Sequence, residues 1–226
     1  MKINGISETK REILKTLKEA GSASIAKLQS ELNMTGEALR QQLLQLKHEG
    51  FVERKSKKRK DPSGGRPAKQ YFLTPEGEHL FPKNYDALTK EIIDTISDEL
   101  GPDALTKLLE TMTENRVNRW EPQLRHLPFK ERVEALKGLY MQNDAFMEAE
   151  YSEDAVYLME HNCPFLNVAS ERPALCSVTT STLSKLLGYR VERTKRFQNG
   201  DGRCVFKIDL SKPVGENDPV FEYEKE

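Results

Sequence analysis

The sequence has few cysteines, few aromatic residues and no long hydrophobic run. Three cysteines, an odd number, are too few for a disulfide scaffold, so a reducing cytoplasm is the expected compartment. No run of about 18 apolar residues occurs, which argues against a membrane-spanning helix. The N-terminal stretch MKINGISETKREIL lacks the apolar region of a signal peptide. Apolar residues make up only 37% of the 226 residues, so we expect long exposed helix faces.

The overall charge of −1 conceals two oppositely charged parts. Residues 1–80 contain 16 Lys and Arg against 10 Asp and Glu, whereas residues 81–226 contain 19 against 26. A basic part beside an acidic one is typical of a nucleic-acid-binding module joined to a domain of another kind.

The first 80 residues show the pattern of three short helices followed by two strands. Apolar stripes predict helices that begin near Ser7, Ser24 and Thr35. The strand-like runs FVERKSK and KQYFLT follow, joined by the basic, glycine-containing segment KRKDPSGGRPA. This order predicts a winged helix-turn-helix in which the third helix is the recognition helix.

The third helix and the hairpin carry the candidate DNA contacts. Arg can read guanine and Gln can read adenine in the major groove, so Arg40 and Gln41 are candidates for base contact, with Gln45 on the same face. Arg66, between Gly65 and Pro67, could enter a narrow minor groove. The candidates for phosphate contact along the wing are Lys55, Lys57, Lys58, Arg59 and Lys60. The alternative is a solvated helix face beside a flexible, solubilising loop.

Apolar periodicity predicts that residues 81–143 are helical. The helices are expected over 86–100, 102–120 and 130–143. DNA operators are commonly read by two-fold dimers, so we expect these helices to hold a homodimer through stripes that include Ile92, Ile96, Leu105, Leu108 and Met112. Packing within one chain is the alternative. No catalytic constellation is present here, and the chain is not predicted to be an enzyme.

All three cysteines lie between residues 163 and 204. Strands are predicted over 145–161 and 189–209. Cys163 follows the run AVYLME, Cys176 falls in the first turns of a helix, and Cys204 begins the run CVFKIDL. Thiols at these places could converge on a metal or an iron–sulfur cluster, and the nearby Arg172, Arg193 and Arg203 would favour thiolates.

Three other readings of the cysteines remain open. Zinc would require a fourth ligand, for which His161 is the nearest candidate. The thiols could also be small core residues. In an enzyme, Cys163 or Cys176 would be a nucleophile, and His161 could serve Cys163 as its base.

Three segments of the sequence together resemble a known family. They are GGRPAKQYFLTPEG in the hairpin region, HNCPFLNVASERPALC around the first two cysteines, and VERTKRFQNGDGRCVFKI around the third. With the winged-helix pattern, they resemble the SufR-type iron–sulfur-sensing transcriptional regulators, which are dimeric, DeoR/ArsR-like bacterial repressors of cluster-assembly genes. The resemblance covers about residues 7–210 and is densest over 159–208.

The resemblance implies that Cys163, Cys176 and Cys204 bind an iron–sulfur cluster, expected to be of the 4Fe–4S rather than the 2Fe–2S type. Some members have a further cysteine shortly before the VERT stretch, where this chain has Tyr189. The fourth ligand is therefore left open, and the protein candidates for it are His161, Glu160 and Glu171.

The implied function is that of a cytoplasmic, homodimeric repressor that binds double-stranded DNA and responds to its cluster. A winged-helix regulator that senses zinc, another metal or thiol oxidation through the same cysteines is the alternative. The overall prediction is an α+β protein in four parts: a winged-helix domain over 1–80, a helical linker and dimerisation segment over 81–143, a small α+β sensor domain over 144–210, and a C-terminal tail over 211–226.

Overall fold

The computed structural model of the chain describes residues 3–56, 69–142, 145–215 and 221–224. The chain divides into two compact units, residues 1–84 and residues 85–226. Helices and antiparallel strands occur in both units, so the protein is α+β, as the sequence predicts. None of the helices in the described ranges is both long enough and apolar enough to cross a membrane.

The first unit consists of helices followed by a two-stranded sheet and a short closing helix. Its elements are α1 (Glu8–Ala20), α2 (Ile25–Leu32), α3 (Gly36–His48), β1 (Val52–Ser56), β2 (Lys69–Leu73) and α4 (Pro75–His79). The two strands pair antiparallel, and an isolated bridge between Ala23 and Tyr71 ties the start of α2 to β2.

Leucines at helical spacing form the core of the first unit. Ile13, Leu14 and Leu17 of α1 are fully buried, and Leu39, Leu43 and Leu46 of α3 pack in the same cluster. Hydroxyl caps fix where the helices begin: Ser24 accepts a hydrogen bond from the Lys27 amide, and Thr35 accepts one from the Ala38 amide. Ser7 precedes α1 as predicted, but its side chain makes no capping bond.

The second unit is a four-stranded antiparallel sheet with helices. Its elements are α5 (Tyr85–Leu100), α6 (Pro102–Leu124), α7 (Phe129–Met141), β3 (Met147–Tyr151), β4 (Ala155–Glu160), α8 (Leu166–Ala169), α9 (Ser177–Leu187), β5 (Tyr189–Lys195) and β6 (Cys204–Pro213). The strand order is β3-β4-β6-β5, so β4 and β6, which are distant in sequence, lie side by side.

Two apolar clusters stabilise the second unit. One joins α7 and α9 to the sheet and includes Val133, Leu158 and Phe206. The other joins α5, α6, α8 and α9, and it buries Leu105 and Leu109. The packing of Leu105 inside its own unit removes that residue from the predicted dimer stripe, because its side chain is only 4% exposed. The exposed apolar face of α5 carries Tyr85, Leu88 and Ile92 instead.

Two helix boundaries differ from the predictions. The predicted helix over 102–120 extends to Leu124 and includes Pro122 near its end. Cys176 was predicted to lie within a helix, but it is the last residue of a 3-10 turn, Pro173–Cys176, and immediately precedes α9.

Candidate functional site

The three cysteines line one cavity of the second unit. The cavity has a volume of about 30 Å³, which is room for roughly one or two water molecules. Cys204 is buried, and Cys163 and Cys176 are half-buried. The rest of the lining is mainly apolar, with Glu160 and Arg193 as its charged members. The three thiols therefore share one cavity, whereas their convergence on a metal or cluster stays a prediction.

The sheet and the start of α9 position the thiols. Cys204 is the first residue of β6, and its register partner on β4 is Glu160. Directly opposed residues of an antiparallel pair project to the same face, with Cβ atoms roughly 5 Å apart. Cys163 follows β4 by three residues, and Cys176 lies on the 3-10 turn before α9. Three separate stretches of chain therefore contribute to this wall of the cavity.

The buried guanidinium group of Arg193 lies beside the thiols. The side chain of Arg193, which is 2% exposed, pairs with the carboxylate of Glu224 in the C-terminal segment. Its Nη1 also lies 3.9 Å from the Cys204 sulfur, while Gln198 Nε2 donates to the Cys176 sulfur at 3.5 Å. Arg193 Nε has no hydrogen-bond partner among the described residues. The site therefore holds a fixed positive charge beside two of the sulfur atoms.

The C-terminal segment docks on α9 through hydroxyl groups. The Glu224 amide donates to Ser177 Oγ at 2.7 Å, and the Glu222 amide donates to Ser181 Oγ at 3.3 Å. Thr180 Oγ1 also donates to the Glu224 carboxylate at 2.7 Å. These contacts bring residues predicted only as a tail into the wall of the thiol site.

Burial, rather than the nearby arginines, dominates the titration of the thiols. Burial raises the pKa of Cys163 to about 12, and the charge of Glu160 adds to this effect. Burial also raises the pKa values of Cys176 and Cys204, although Arg193 acts in the opposite direction on both. The expectation that nearby arginines favour thiolates is therefore wrong for the ligand-free site. Arg172 pairs with Asp94 of α5.

Glu160 is a buried carboxyl group beside the thiols. Glu160 is only 6% exposed. Burial raises its pKa to about 7, against the opposing charges of Arg193 and Arg116. The group is therefore largely neutral below about pH 7 in the folded protein, whereas it ionises near 4.5 in the unfolded chain.

Replacement of Glu160 by glutamine is expected to change how stability depends on pH. The contribution of this carboxyl is complete below pH 4.5 and is lost as the pH rises to about 7, because the unfolded chain releases the proton first. The total is roughly 3 kcal/mol. Urea unfolding of reduced, metal-free Glu160→Gln should therefore show a gain over the original protein at pH 8 that is much smaller at pH 5. Glu171→Gln, at an exposed position, is the control. An equal gain at both pH values would contradict this account of Glu160.

The other two proposed fourth ligands lie away from the cavity. His161 Nε2 is 3.2 Å from Glu148 Oε2, and its side chain is 35% exposed. Glu171 pairs with Lys90 of α5 and is 57% exposed.

The cavity side chains do not surround a single point. Within the described ranges, no group of three or more His, Cys, Asp or Glu side chains is arranged to hold one metal ion. A single tetrahedral zinc would need its sulfur ligands about 4 Å apart, because Zn–S bonds are about 2.3 Å long. The donors therefore line a common cavity without forming a mononuclear zinc site.

A second candidate site is a positively charged groove in the first unit. It runs between the start of α2, α3 and the two strands, and its lining includes Arg40, Lys47, Arg54 and Lys69. Among the residues that the structure describes, no carboxylate lines this groove. Arg54 of β1 pairs in register with Tyr71 of β2. Lys69 lies on β2 two residues before Tyr71, so the side chains of all three residues project to one face of the sheet. A groove of this charge suits phosphate groups.

Four of the residues predicted to contact DNA lie in the described part of the chain, and the other five do not. Arg40, Gln41 and Gln45 are exposed on α3, and Arg40 pairs with Glu37 at 3.3 Å. Leu44, on the same helix, is 68% exposed. Lys55 is exposed on β1 and pairs with Glu53. The predicted contacts Lys57, Lys58, Arg59, Lys60 and Arg66 lie outside the described residues.

Sequence reasoning missed several residues of both sites. Lys47, Arg54 and Lys69 were not singled out, although pairing the two strands in register would have placed Arg54 and Lys69 on one face. Nothing in the local sequence around Glu224 signals its pairing with Arg193, because the two residues are 31 positions apart.

The profile of the methanogen output domain 1 family matches residues 78–209. The matched segment includes all three cysteines, Glu160 and Arg193, but not Glu224 or the groove of the first unit. No curated protein matches the chain. Since the match spans more than half of the sequence, the chain belongs to the methanogen output domain 1 family.

Proposed function

We propose that the protein is a DNA-binding transcriptional regulator, acting as a repressor, that senses an iron–sulfur cluster bound by Cys163, Cys176 and Cys204. The observation that carries the proposal is the common cavity lined by three thiols from distant parts of the sequence. A cluster supplies a redox- and oxygen-sensitive group whose metal ions are spread over several positions.

The DNA-binding part of the proposal rests on the first unit. Three helices precede a two-stranded hairpin, which is the order of a winged helix-turn-helix. In this arrangement α3 is the recognition helix, with Arg40, Gln41 and Gln45 exposed for base contact. The groove cations beside α3 would contact phosphates. We expect the protein to bind double-stranded operators as a homodimer, since such operators are commonly two-fold symmetric.

The contacts of α5 suggest how the thiol site could influence the first unit. The segment between Cys163 and Cys176 is tied to α5 by three polar contacts. Lys90 pairs with Glu171, Arg172 donates twice to Asp94, and Asn167 donates to Asp86 at 2.6 Å. Because α5 follows the first unit directly along the chain, a shift of this segment would be passed to the start of the linker.

The hairpin between β5 and β6 is held to the same segment. Gln198 Nε2 donates to the carbonyl of Ala169 at 3.0 Å as well as to the Cys176 sulfur. A ligand that joins Cys204 to Cys163 and Cys176 would fix the hairpin, α8 and the start of α9 relative to one another. In our proposal, the presence or absence of the cluster in the matched family segment, residues 78–209, therefore controls DNA binding by the first unit.

The test is the DNA affinity of one preparation with and without its cluster. The probes are duplexes selected from a random-sequence pool, separately by the loaded and by the cluster-free protein. We expect the two forms to differ by about 5- to 150-fold, the range of typical coupling energies. Asp94→Asn should retain the cluster but reduce this difference, because it weakens the α5 contact to Arg172. Equal affinities of the loaded and cluster-free protein would contradict the proposed sensing role.

A further inference from the structure

The three thiols leave one ligand position of a four-iron cluster to be filled. Clusters of this type are ordinarily held by four protein ligands, most often cysteine thiolates. The chain has no fourth cysteine. A fourth protein ligand must therefore come from another side chain of the cavity that the thiols line. This assignment rests on the proposed function.

Of the three sequence candidates, only one lies in the cavity. His161 contacts Glu148 and Glu171 contacts Lys90, and neither His161 nor Glu171 lines the cavity. Glu160 lines it and is 6% exposed. Its register partner is Cys204, and Cys163 follows three residues later in the chain. The carboxyl therefore lies next to two of the thiols through the geometry of the sheet.

The polar surroundings of Glu160 also fit a metal ligand. The Glu160 carboxyl shares its cavity with the three thiols and with the guanidinium of Arg193. Arg193 and Arg116 lie within electrostatic range and would balance the negative charge of a bound carboxylate.

We infer that Glu160 supplies the carboxylate that occupies the fourth ligand position of the site formed by Cys163, Cys176 and Cys204. Binding would exchange the four terminal ligands of the incoming cluster, exogenous thiolates or water, for one carboxylate and three thiolates of the protein; the displaced ligands and any protons on the four protein groups pass to solvent. Carboxylate is a weaker ligand for iron than thiolate, so this position is the most easily exchanged of the four. The site is thereby suited to losing its iron–sulfur cluster in response to oxidants or chelators.

The experiment compares variants during anaerobic loading with ferric iron, sulfide and dithiothreitol, so that the dithiol reduces part of the iron and a mixed-valent cluster forms. Each protein is assayed for bound iron and sulfide, for visible absorption, and for the rate at which EDTA removes iron. Glu160→Gln should lose iron at least tenfold faster than the original protein, the scale on which changes at metal sites act. The matched controls His161→Gln and Glu171→Gln should remain within about twofold.

A second substitution separates ligation from a structural role. Glu160→Cys replaces the carboxylate by a thiolate, so it should slow the loss of iron below that of Glu160→Gln and shift the visible spectrum. A merely structural carboxyl would not be restored by the shorter cysteine. If Glu160→Gln loads normally and loses iron at the original rate, the assignment of Glu160 is overturned while the cluster proposal stands. If the original protein takes up no iron and sulfide, both are overturned.

Discussion

Each single replacement of Cys163, Cys176 or Cys204 by serine is expected to abolish stable cluster loading. A serine hydroxyl is a poor substitute for a thiolate on iron, and each sulfur comes from a different part of the cavity wall. Bound iron after anaerobic loading and gel filtration should fall at least tenfold in each variant. The change should be similar for the three positions, because no other thiol in the chain can replace the one that is lost.

The matched control for these variants is Thr179→Ala. Thr179 lines the same cavity but does not belong to the proposed ligand set, so its replacement should leave iron binding within about twofold. Circular dichroism melting establishes that each serine variant is folded, which matters most for the buried Cys204. A serine variant that is folded and retains a full, stable cluster would remove that cysteine from the site and return it to the class of buried core thiols.

Removal of three groove cations is expected to weaken binding to DNA of any sequence. The variant replaces Lys47, Arg54 and Lys69 by alanine. Each lost phosphate contact lowers the slope of log affinity against log salt by about 0.9, so the slope should fall by about 2 to 3. Affinity at moderate salt should fall roughly 10- to 100-fold. The measurement is fluorescence anisotropy with duplexes of unrelated sequence over a series of salt concentrations.

The control removes the same charge elsewhere on the first unit. Lys10, Lys15 and Lys18 of α1 pair with Glu49, Glu12 and Glu78 and do not line the groove. Their replacement by alanine should leave the salt slope nearly unchanged. Arg40→Ala, by contrast, should alter the ranking of duplexes of different sequence. A groove variant with the original slope and affinity would show that phosphates are bound elsewhere.

The sequence predicted the elements well where one apolar face decides them. Leucines at helical spacing mark α1 and α3, and those leucines are buried as expected. The strands predicted over 189–209 are also present, as β5 and β6, which pair antiparallel. Helix α9 shows the limit of this reasoning. Its buried face includes Thr180, Ser181 and Ser184, whose hydroxyls bond within the helix or to neighbouring segments.

The site could be predicted only in part, because its geometry depends on which strands are neighbours. Local sequence correctly placed Cys204 at the start of a strand, whereas Cys176 lies in a 3-10 turn and not in the predicted helix. The pairing of β4 with β6, which places Glu160 opposite Cys204, has no local signal. The predicted effect of the nearby arginines on the thiol pKa values is wrong for a related reason. Arginines can be counted in the sequence, but the burial that outweighs them is a property of the packed fold.

The most direct test of the central claim is the iron, sulfide and zinc content of the protein purified without oxygen. The account predicts iron and acid-labile sulfide in nearly equal amounts, little zinc, and a brown colour that disappears on exposure to air. A colourless protein that contains zinc and no sulfide would contradict the cluster proposal and would favour zinc sensing through the same three cysteines.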